Sequence, residues 1–244
     1  MLRLKPGDAI EVIYRETAAS FHATIIAIAQ DAITVKLVEL LATKSSPVIT
    51  LIVGMIKPNR IDFLVEKSIE CGASRICLFV AERSQRKLAH EERENRRLRL
   101  ERVVEASIKQ SGPNALFPTI MIEEDLKQAL RSLHLPQSPP SRRIVLEPLT
   151  EGDDRGAFPS LISCLTEAPE ITLQHLPENA ETYLIIGPEG GLAEGERLLA
   201  TKHGYLRATL GSKTLRTETA AIVATAVVHL LLGEQSSGLK KRNL

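Results

Sequence analysis

The chain has 244 residues, 43% hydrophobic and 25% charged, which is ordinary for a globular protein that can bury a core without disulfides or structural metal. A net charge of +1 excludes a uniformly basic nucleic-acid-binding surface, although local basic segments remain possible binding faces. The longest apolar run, residues 220–232, is too short to span a membrane, and charges near the N-terminus argue against a secretory signal, so we expect a cytoplasmic protein.

The first part of the chain has the pattern of a small all-β unit. Turn signals such as Pro6-Gly7-Asp8 and Gln30-Asp31 separate short β-branched segments. These segments are residues 8–16, 20–30, 32–42 and 47–56. The spacing predicts a barrel or curled sheet, and we place this first domain at residues 1–58.

From Asn59 onward, helices are predicted to alternate with strands. The periodicity predicts helices at residues 60–72, 91–110, 123–133, 160–166, 192–204 and 218–232. Strands are predicted at residues 75–81, 117–122, 142–148, 182–187 and 205–211. This alternation predicts an α/β domain over residues 59–244, with a mostly parallel sheet between layers of helices.

The three cysteines do not form a metal-binding pattern. Cys71, Cys77 and Cys164 lack a CxxC spacing, and no histidine cluster accompanies them. We therefore predict no metal site, and interpret the cysteines as buried or half-buried thiols in a reducing compartment.

Two predicted strands run into glycine-bearing bends, "GPEGG" at residues 187–191 and "LGSKTLRT" at residues 210–217. Ligands of open parallel sheets bind beyond the carboxyl ends of the strands, and "VLEP" at residues 145–148 is a plausible neighbour. The glycines could instead serve only a tight turn. The first bend lacks the GxGxxG and GK[ST] patterns and any basic residue. A ligand presenting adenine, ribose and a zwitterion to backbone groups suits it better than a triphosphate.

The second bend leads directly into an apolar helix. Thr217 as N-cap and Glu218 at the first helical position would stabilise the helix start. Capping does not explain Lys213 and Arg216, because the helix dipole disfavours cations there. A bound phosphate or nucleotide would offset that repulsion, which favours a substrate-facing loop.

Several motifs together resemble the bacterial 16S ribosomal RNA (uracil-N3)-methyltransferases, a family of the SPOUT class. The most specific are "LRTETA", "EKSIECGASRI" and "AERS"; "GPEGG", "LRLKPGD" and "ERVVEASIKQSG" agree in order. The resemblance implies a SPOUT-type α/β domain with a C-terminal trefoil knot, preceded by a PUA-like β-barrel that recognises RNA. It also implies a homodimer that uses S-adenosyl-L-methionine (SAM) and acts on 16S rRNA of the small ribosomal subunit.

The resemblance also implies residue roles. The SAM pocket is expected to include Leu146, Ile186, Gly187, Pro188, Glu189, Gly190, Gly191, Leu210, Gly211, Leu215 and Thr217. Arg216, Glu218 and Thr219 are expected at the reacting base, with Glu218 as the candidate proton acceptor. The RNA-binding candidates are Arg3, Lys5, Arg83, Arg86 and Lys213.

Two departures from the family pattern lie within the chain. Lys213 stands where the family usually has arginine, which keeps the charge without bidentate geometry. The segment "KQSGPN", residues 109–114, lacks the arginine of the usual "EQSGR". Two other interpretations stay open at this point: a SPOUT enzyme acting at another RNA position, such as ribose 2′-O, or a non-catalytic RNA-binding assembly factor.

Overall fold

The computed structural model describes residues 4–14, 19–40, 47–84, 89–111, 118–135, 141–149, 158–166 and 180–236. The chain divides into two compact units. The first comprises Met1–Lys44 and Ile108–Phe117, and the second comprises Ser45–Ser107 and Pro118–Leu244. None of the described helices combines the length and apolar character needed to cross a membrane.

The described part of the first unit contains an antiparallel sheet. Its strands β1 (Ala9–Tyr14), β2 (Ala19–Ile28) and β3 (Ile33–Leu40) pair in the order β1-β2-β3. Ala23 and Ile25 of β2 are buried, whereas β3 is exposed along most of its length. Three of the four predicted N-terminal strands are therefore confirmed as one small β unit.

In the second unit, the described strands form one six-stranded sheet in the order β6-β5-β4-β8-β7-β9, and every described pair is parallel. The strands are β4 (Ile49–Gly54), β5 (Arg75–Phe79), β6 (Thr119–Glu123), β7 (Arg142–Leu146), β8 (Thr182–Ile186) and β9 (Leu206–Ala208). The helices are α1 (Pro58–Glu70), α2 (His90–Ser111), α3 (Leu126–Ser132), α4 (Leu161–Thr166), α5 (Glu194–Lys202) and α6 (Thr217–Ser236). The predicted α/β class and parallel sheet are confirmed.

The assignment of residues 47–56 to the N-terminal β unit is wrong. Strand β4 lies inside the parallel sheet, between β5 and β8, and all six of its residues are buried. The N-terminal segment of the first unit accordingly ends at Lys44, not at residue 58. A continuous apolar run is typical of a strand covered on both faces, and "ITLIVG" has that pattern.

Helices cover both faces of the sheet. Helix α6 contacts α1, α4, β4 and β8. On the other face, residues of α3 and α5 share a hydrophobic cluster with Ile52, Phe79 and Tyr183. Burial of the sheet between these layers leaves its carboxyl edge as the place where the connecting segments gather.

The cysteines are free thiols, as predicted. Cys77 and Cys164 are buried and Cys71 is partly buried, and burial raises the pKa of each thiol. Within the described ranges, no group of three or more His, Cys, Asp or Glu residues could hold a metal ion.

Candidate cofactor and substrate site at the carboxyl edge of the sheet

The two glycine-bearing bends lie at the same edge of the sheet. Leu146 ends β7 and Ile186 ends β8, in register with each other. The bend of residues 187–191 follows β8, and the bend of residues 210–217 follows β9 and ends at the first residue of α6. Because β7 lies between β8 and β9 and all three run parallel, both bends emerge around the end of β7.

A hydrogen bond joins the bends directly. The hydroxyl of Thr217 donates to the carbonyl oxygen of Gly187 at 3.0 Å, and Thr217 is 5% exposed. The amide of Ala220 donates to the carbonyl of Arg216, so Arg216 holds the N-cap position and Thr217 is the first residue of α6. The predicted N-cap role of Thr217 is therefore wrong; its hydroxyl ties α6 to the first bend.

The first bend is packed closely against the end of β4. A Cβ placed on Gly54 would lie 2.4 Å from Cδ of Pro188, and one on Gly187 would lie 2.9 Å from the amide nitrogen of Leu192. Gly191 has φ +69° and its amide donates to the Pro188 carbonyl at 2.8 Å. The turn therefore requires glycine for close approach and for left-handed backbone.

Open space adjoins both bends. Among the described residues, no atom lies within 4 Å of the position that a Cβ would take on Gly191 or on Gly211, and both residues have positive φ. Leu210 and Leu215 of the second bend are partly buried, and Glu189 and Gly190 of the first are exposed. Exposed backbone beside apolar side chains suits a ligand held by N–H and C=O groups, such as SAM.

The residues predicted at the reacting base differ sharply in exposure. Glu218 is 6% exposed, and its Oε2 atom is buried without a hydrogen-bond partner in the described structure. Arg216, Thr219 and Lys213 are exposed. Because Arg216 and Lys213 face solvent, they can contact a bound polyanion, whereas the Glu218 carboxylate is buried beside them in sequence.

The ion-pair partner of Glu218 is Arg60 of α1, a residue that sequence reasoning missed. Its Nη1 atom lies 3.6 Å from Oε1 of Glu218 and 3.7 Å from Oε1 of Glu189. Arg60 thus connects the first bend to the start of α6. A signal was present in the sequence, because arginine in the first turn of a helix opposes the helix dipole.

The "AERS" segment braces the first bend. Nη1 of Arg83 lies 3.4 Å from the carbonyl oxygen of Gly190, and the Ser84 hydroxyl accepts from the amide of Ala81 at 3.1 Å. Glu196 of α5 accepts from the amide of Glu82 at 3.0 Å. Arg83, predicted to bind RNA, therefore lies at the bend itself.

Glu147, another residue that sequence reasoning missed, anchors β9 and α5 to the end of β7. Its side chain is 6% exposed and accepts hydrogen bonds from Arg207 at 2.6 Å and from Arg197 at 2.5 Å. The Arg207 guanidinium also lies 3.9 Å from the ring centroid of Phe158. Glu147 directly follows Leu146, so this cluster supports the wall of the candidate site.

The other RNA-binding candidates are spread along the chain. Lys5 is exposed in the first unit. Arg3 and Arg86 lie outside the described residues, as does the segment 112–114 in which the family arginine is missing. The structure therefore brings Arg83 to the bend and leaves Lys5 in a separate unit.

A cleft of about 380 Å³ lies at the opposite, amino edge of the sheet, lined partly by Arg75, Thr119, Glu181 and Tyr183. Its polar groups pair with one another: Nη2 of Arg75 donates to Glu181 at 2.6 Å, and the Tyr183 hydroxyl donates to the same carboxylate. Burial and this carboxylate raise the pKa of Tyr183 to about 12. Satisfied polar groups make this cleft a weaker candidate than the carboxyl edge.

Comparison with known proteins identifies the family. A family model of RNA methyltransferase domains matches residues 43–229, which begin close to the boundary between the two units. The chain belongs to the RNA methyltransferase family.

Two relatives share the name ribosomal RNA small subunit methyltransferase E. The protein from Bacillus subtilis is 27% identical over 186 residues, which cover 75% of this chain and 67% of that one. The protein from Rickettsia conorii is 27% identical over 238 residues, covering 95% and 84%. The methyltransferase resemblance drawn from the motifs is thereby confirmed.

A solved structure of similar fold is that of ribosomal RNA small subunit methyltransferase E from Neisseria gonorrhoeae bound to S-adenosyl methionine. It superposes with a TM-score of 0.67 at 23% identity, covering 94% of this chain and 85% of that chain. At this identity the likeness establishes a shared fold. This RNA methyltransferase family member thus shares its fold with a protein from Neisseria gonorrhoeae that binds SAM.

Proposed function

We propose that this protein transfers a methyl group from SAM to N3 of a uridine in 16S rRNA of the small ribosomal subunit. The family match and the names of the relatives support this function. The observation that carries it is the hydrogen bond from Thr217 to Gly187, which joins "GPEGG" and "LRTETA" into one site. Of the two motifs, "LRTETA" is the one specific to the uracil-N3 methyltransferase pattern, and "GPEGG" accompanies it in the expected order.

The proposed SAM site is the space bordered by the two bends and the end of β7. When bound, SAM supplies an electrophilic methyl group. The bends offer backbone groups around Gly191 and Gly211, where no atom of the described part of the chain lies within 4 Å of the Cβ position. The residues proposed to line the site are Leu146, Ile186, Gly187, Pro188, Glu189, Gly190, Gly191, Leu210, Gly211, Leu215 and Thr217.

The proposed chemistry at the base uses Glu218 as proton acceptor. Uracil N3 carries a weakly acidic proton that must leave before the nitrogen is a good nucleophile. The exposed cations Arg216 and Lys213 stabilise negative charge that develops on O2 or O4, and the exposed Thr219 lies in the first turn of α6. Because N3 is on the pairing edge, the base must be unpaired or flipped out of a helix.

We propose that the first unit is a PUA-like barrel that binds RNA, with Arg3 and Lys5 among its phosphate contacts and with Arg83 and Arg86 extending the contact in the second unit. Three antiparallel strands and the exposed Lys5 support this role. Such contacts to phosphate weaken as salt concentration rises.

We also propose a C-terminal trefoil knot, a homodimer and a cytoplasmic location. In support of the knot, β9 is at the sheet edge, yet α6 returns across β7 to contact β4 and β8. In support of the dimer, α1 and α6 pack together and expose Phe63, Val223 and Leu230. Sedimentation of the purified protein tests the dimer directly.

The deciding experiment is methylation of small subunits isolated from a strain that lacks this protein. The purified protein and SAM are expected to add one methyl group that nucleoside mass spectrometry identifies as 3-methyluridine. A 2′-O-methylated nucleoside would replace this proposal with a ribose methyltransferase. Absence of both methylation and SAM binding would indicate a non-catalytic RNA-binding protein.

A further inference from the structure

Arg60 occupies a position that helix stability does not explain. It lies in the first turn of α1, which begins with Pro58 and carries no acidic residue in that turn. The partial positive charge of a helix N-terminus disfavours a cation there. Something outside α1 must therefore compensate the guanidinium.

The compensating charges come from two other elements. Nη1 of Arg60 lies 3.7 Å from Oε1 of Glu189 in the first bend and 3.6 Å from Oε1 of Glu218 in α6. Both distances exceed ordinary hydrogen-bond lengths, so the guanidinium acts mainly through its charge. The side chain of Glu218 is 9% exposed and that of Arg60 is 30% exposed, so water screens this pair less than a surface pair.

The second carboxylate oxygen of Glu218, Oε2, lacks a hydrogen-bond donor within the described structure. Oε2 is buried and has no hydrogen-bond partner in the described structure, which is costly for a carboxylate oxygen. Since Arg60 faces Oε1, Oε2 remains the atom that can accept a hydrogen bond from an incoming N–H group. Uracil presents such a donor at N3, whereas the N3 of cytosine is an acceptor.

We propose that Arg60 is a positioning residue, which holds the Glu218 carboxylate by Oε1 and leaves Oε2 to accept the N3–H of the target uracil. This inference rests on the proposed function. Arg60 itself does not contact the substrate and acts through Glu218.

Arg60→Met and Arg60→Lys test the inference in the small-subunit methylation assay. Misplacement of a reacting group by about 1 Å costs on the order of a hundredfold, and we expect a loss of kcat of about that size for Arg60→Met. Because charge matters more than fork geometry here, Arg60→Lys is expected to recover at least about tenfold of that loss. The Kd for SAM, measured by calorimetry, is expected to stay near the wild-type value for both variants.

A double-mutant cycle with Glu218→Gln distinguishes action through Glu218 from a separate structural effect. If Arg60 works through the carboxylate, Arg60→Met has little further effect on kcat in the Glu218→Gln background. Losses of kcat that multiply in the double variant would overturn the inference, as would a SAM affinity that falls as much as kcat does.

Arg99→Met is the matched control. Arg99 of α2 pairs with Asp62, which is also in the first turns of α1, and its side chain is 61% exposed. We expect near-wild-type methylation from this variant. If wild type and Arg99→Met are active and Arg60→Met is equally active, the inference fails while the proposed function stands. If wild type transfers no methyl group, the proposed function fails and the inference fails with it.

Discussion

Thr217 and Gly187 are thirty positions apart in the chain, yet the hydroxyl of one donates to the carbonyl of the other at 3.0 Å. This bond fastens the start of α6 to the bend after β8, although α6 follows β9, two strands away. The relationship turns two separate sequence motifs into one site.

Loss of this bond should loosen the site. Thr217→Val keeps the side-chain shape and leaves the half-buried Gly187 carbonyl without its donor, so we expect a loss of about 1–2 kcal/mol in the free energy of unfolding. SAM binding should weaken as well, which calorimetry measures. Thr217→Ser retains the hydroxyl and serves as the control. Equal SAM affinity in the valine and serine variants would show that the bond does not support the site.

Glu218→Gln should separate chemistry from cofactor binding. The substitution preserves the size of the buried side chain and removes its capacity to accept a proton. We expect kcat to fall by about tenfold to a hundredfold or more, with SAM affinity little changed. Methyl transfer at the wild-type rate would exclude Glu218 as the proton acceptor.

Arg216→Ala should affect turnover without affecting the fold. Arg216 holds the N-cap position, but arginine is not a preferred N-cap residue and this one is exposed, so we expect its replacement to change stability by less than about 0.5 kcal/mol. As a group that stabilises charge on the base, its loss should lower kcat by at least about tenfold. A melting curve and a methylation time course on the same sample check both parts. Unchanged turnover would remove Arg216 from the reaction.

Substitution of two glycines by alanine is expected to change stability in opposite directions. A Cβ on Gly54 would lie 2.4 Å from Cδ and 2.6 Å from N of Pro188, so Gly54→Ala should destabilise the protein by about 1–3 kcal/mol and disturb the first bend. Gly195 is in α5 with nothing within 4 Å of its Cβ position. Gly195→Ala should therefore raise stability by about 0.5 kcal/mol. Urea unfolding of both variants measures the difference, and similar midpoints would contradict the packing of β4 against Pro188.

Glu147→Gln should weaken the wall formed by β7, β9 and α5. The buried carboxylate accepts from Arg197 and Arg207, and hydrogen bonds to charged groups contribute about 1.5–3 kcal/mol each. Since both arginines are partly exposed and can turn to water, we expect a total loss of about 1–3 kcal/mol in urea unfolding.

Glu194→Gln is the control for that cluster. Glu194 also pairs with Arg197, at 3.4 Å, but its side chain is 73% exposed. Surface pairs of this kind contribute about 0–1 kcal/mol. A loss as large as that of Glu147→Gln would mean that burial is not what gives Glu147 its effect.

The local pattern of apolar and turn residues predicted most helices and strands correctly, because the formation of these elements depends largely on residues that are neighbours in sequence. The helix predicted at residues 60–72 and the strand predicted at residues 75–81 are present as α1 and β5. Both predictions depended on the spacing of apolar residues and on the terminal Gly72, which are properties of short segments. The error at β4 had a physical cause. An apolar strand of six residues fits a small barrel or a parallel sheet equally well until its pairing partners are known.

By itself, the sequence determined the α/β class, the family and the motifs that belong to the site, because periodicity, turn chemistry and motif residues are all properties of short segments. Only the tertiary structure decided the strand order, the position of the start of α6 beside Gly187, and the pairing of Glu218 with Arg60. These depend on contacts between segments tens to more than a hundred residues apart, and no local pattern specifies which distant side chain will lie nearby. The residue types of the site predicted its chemistry. Its geometry depends on the strand order of the parallel sheet, which brings the two bends together at the carboxyl edge.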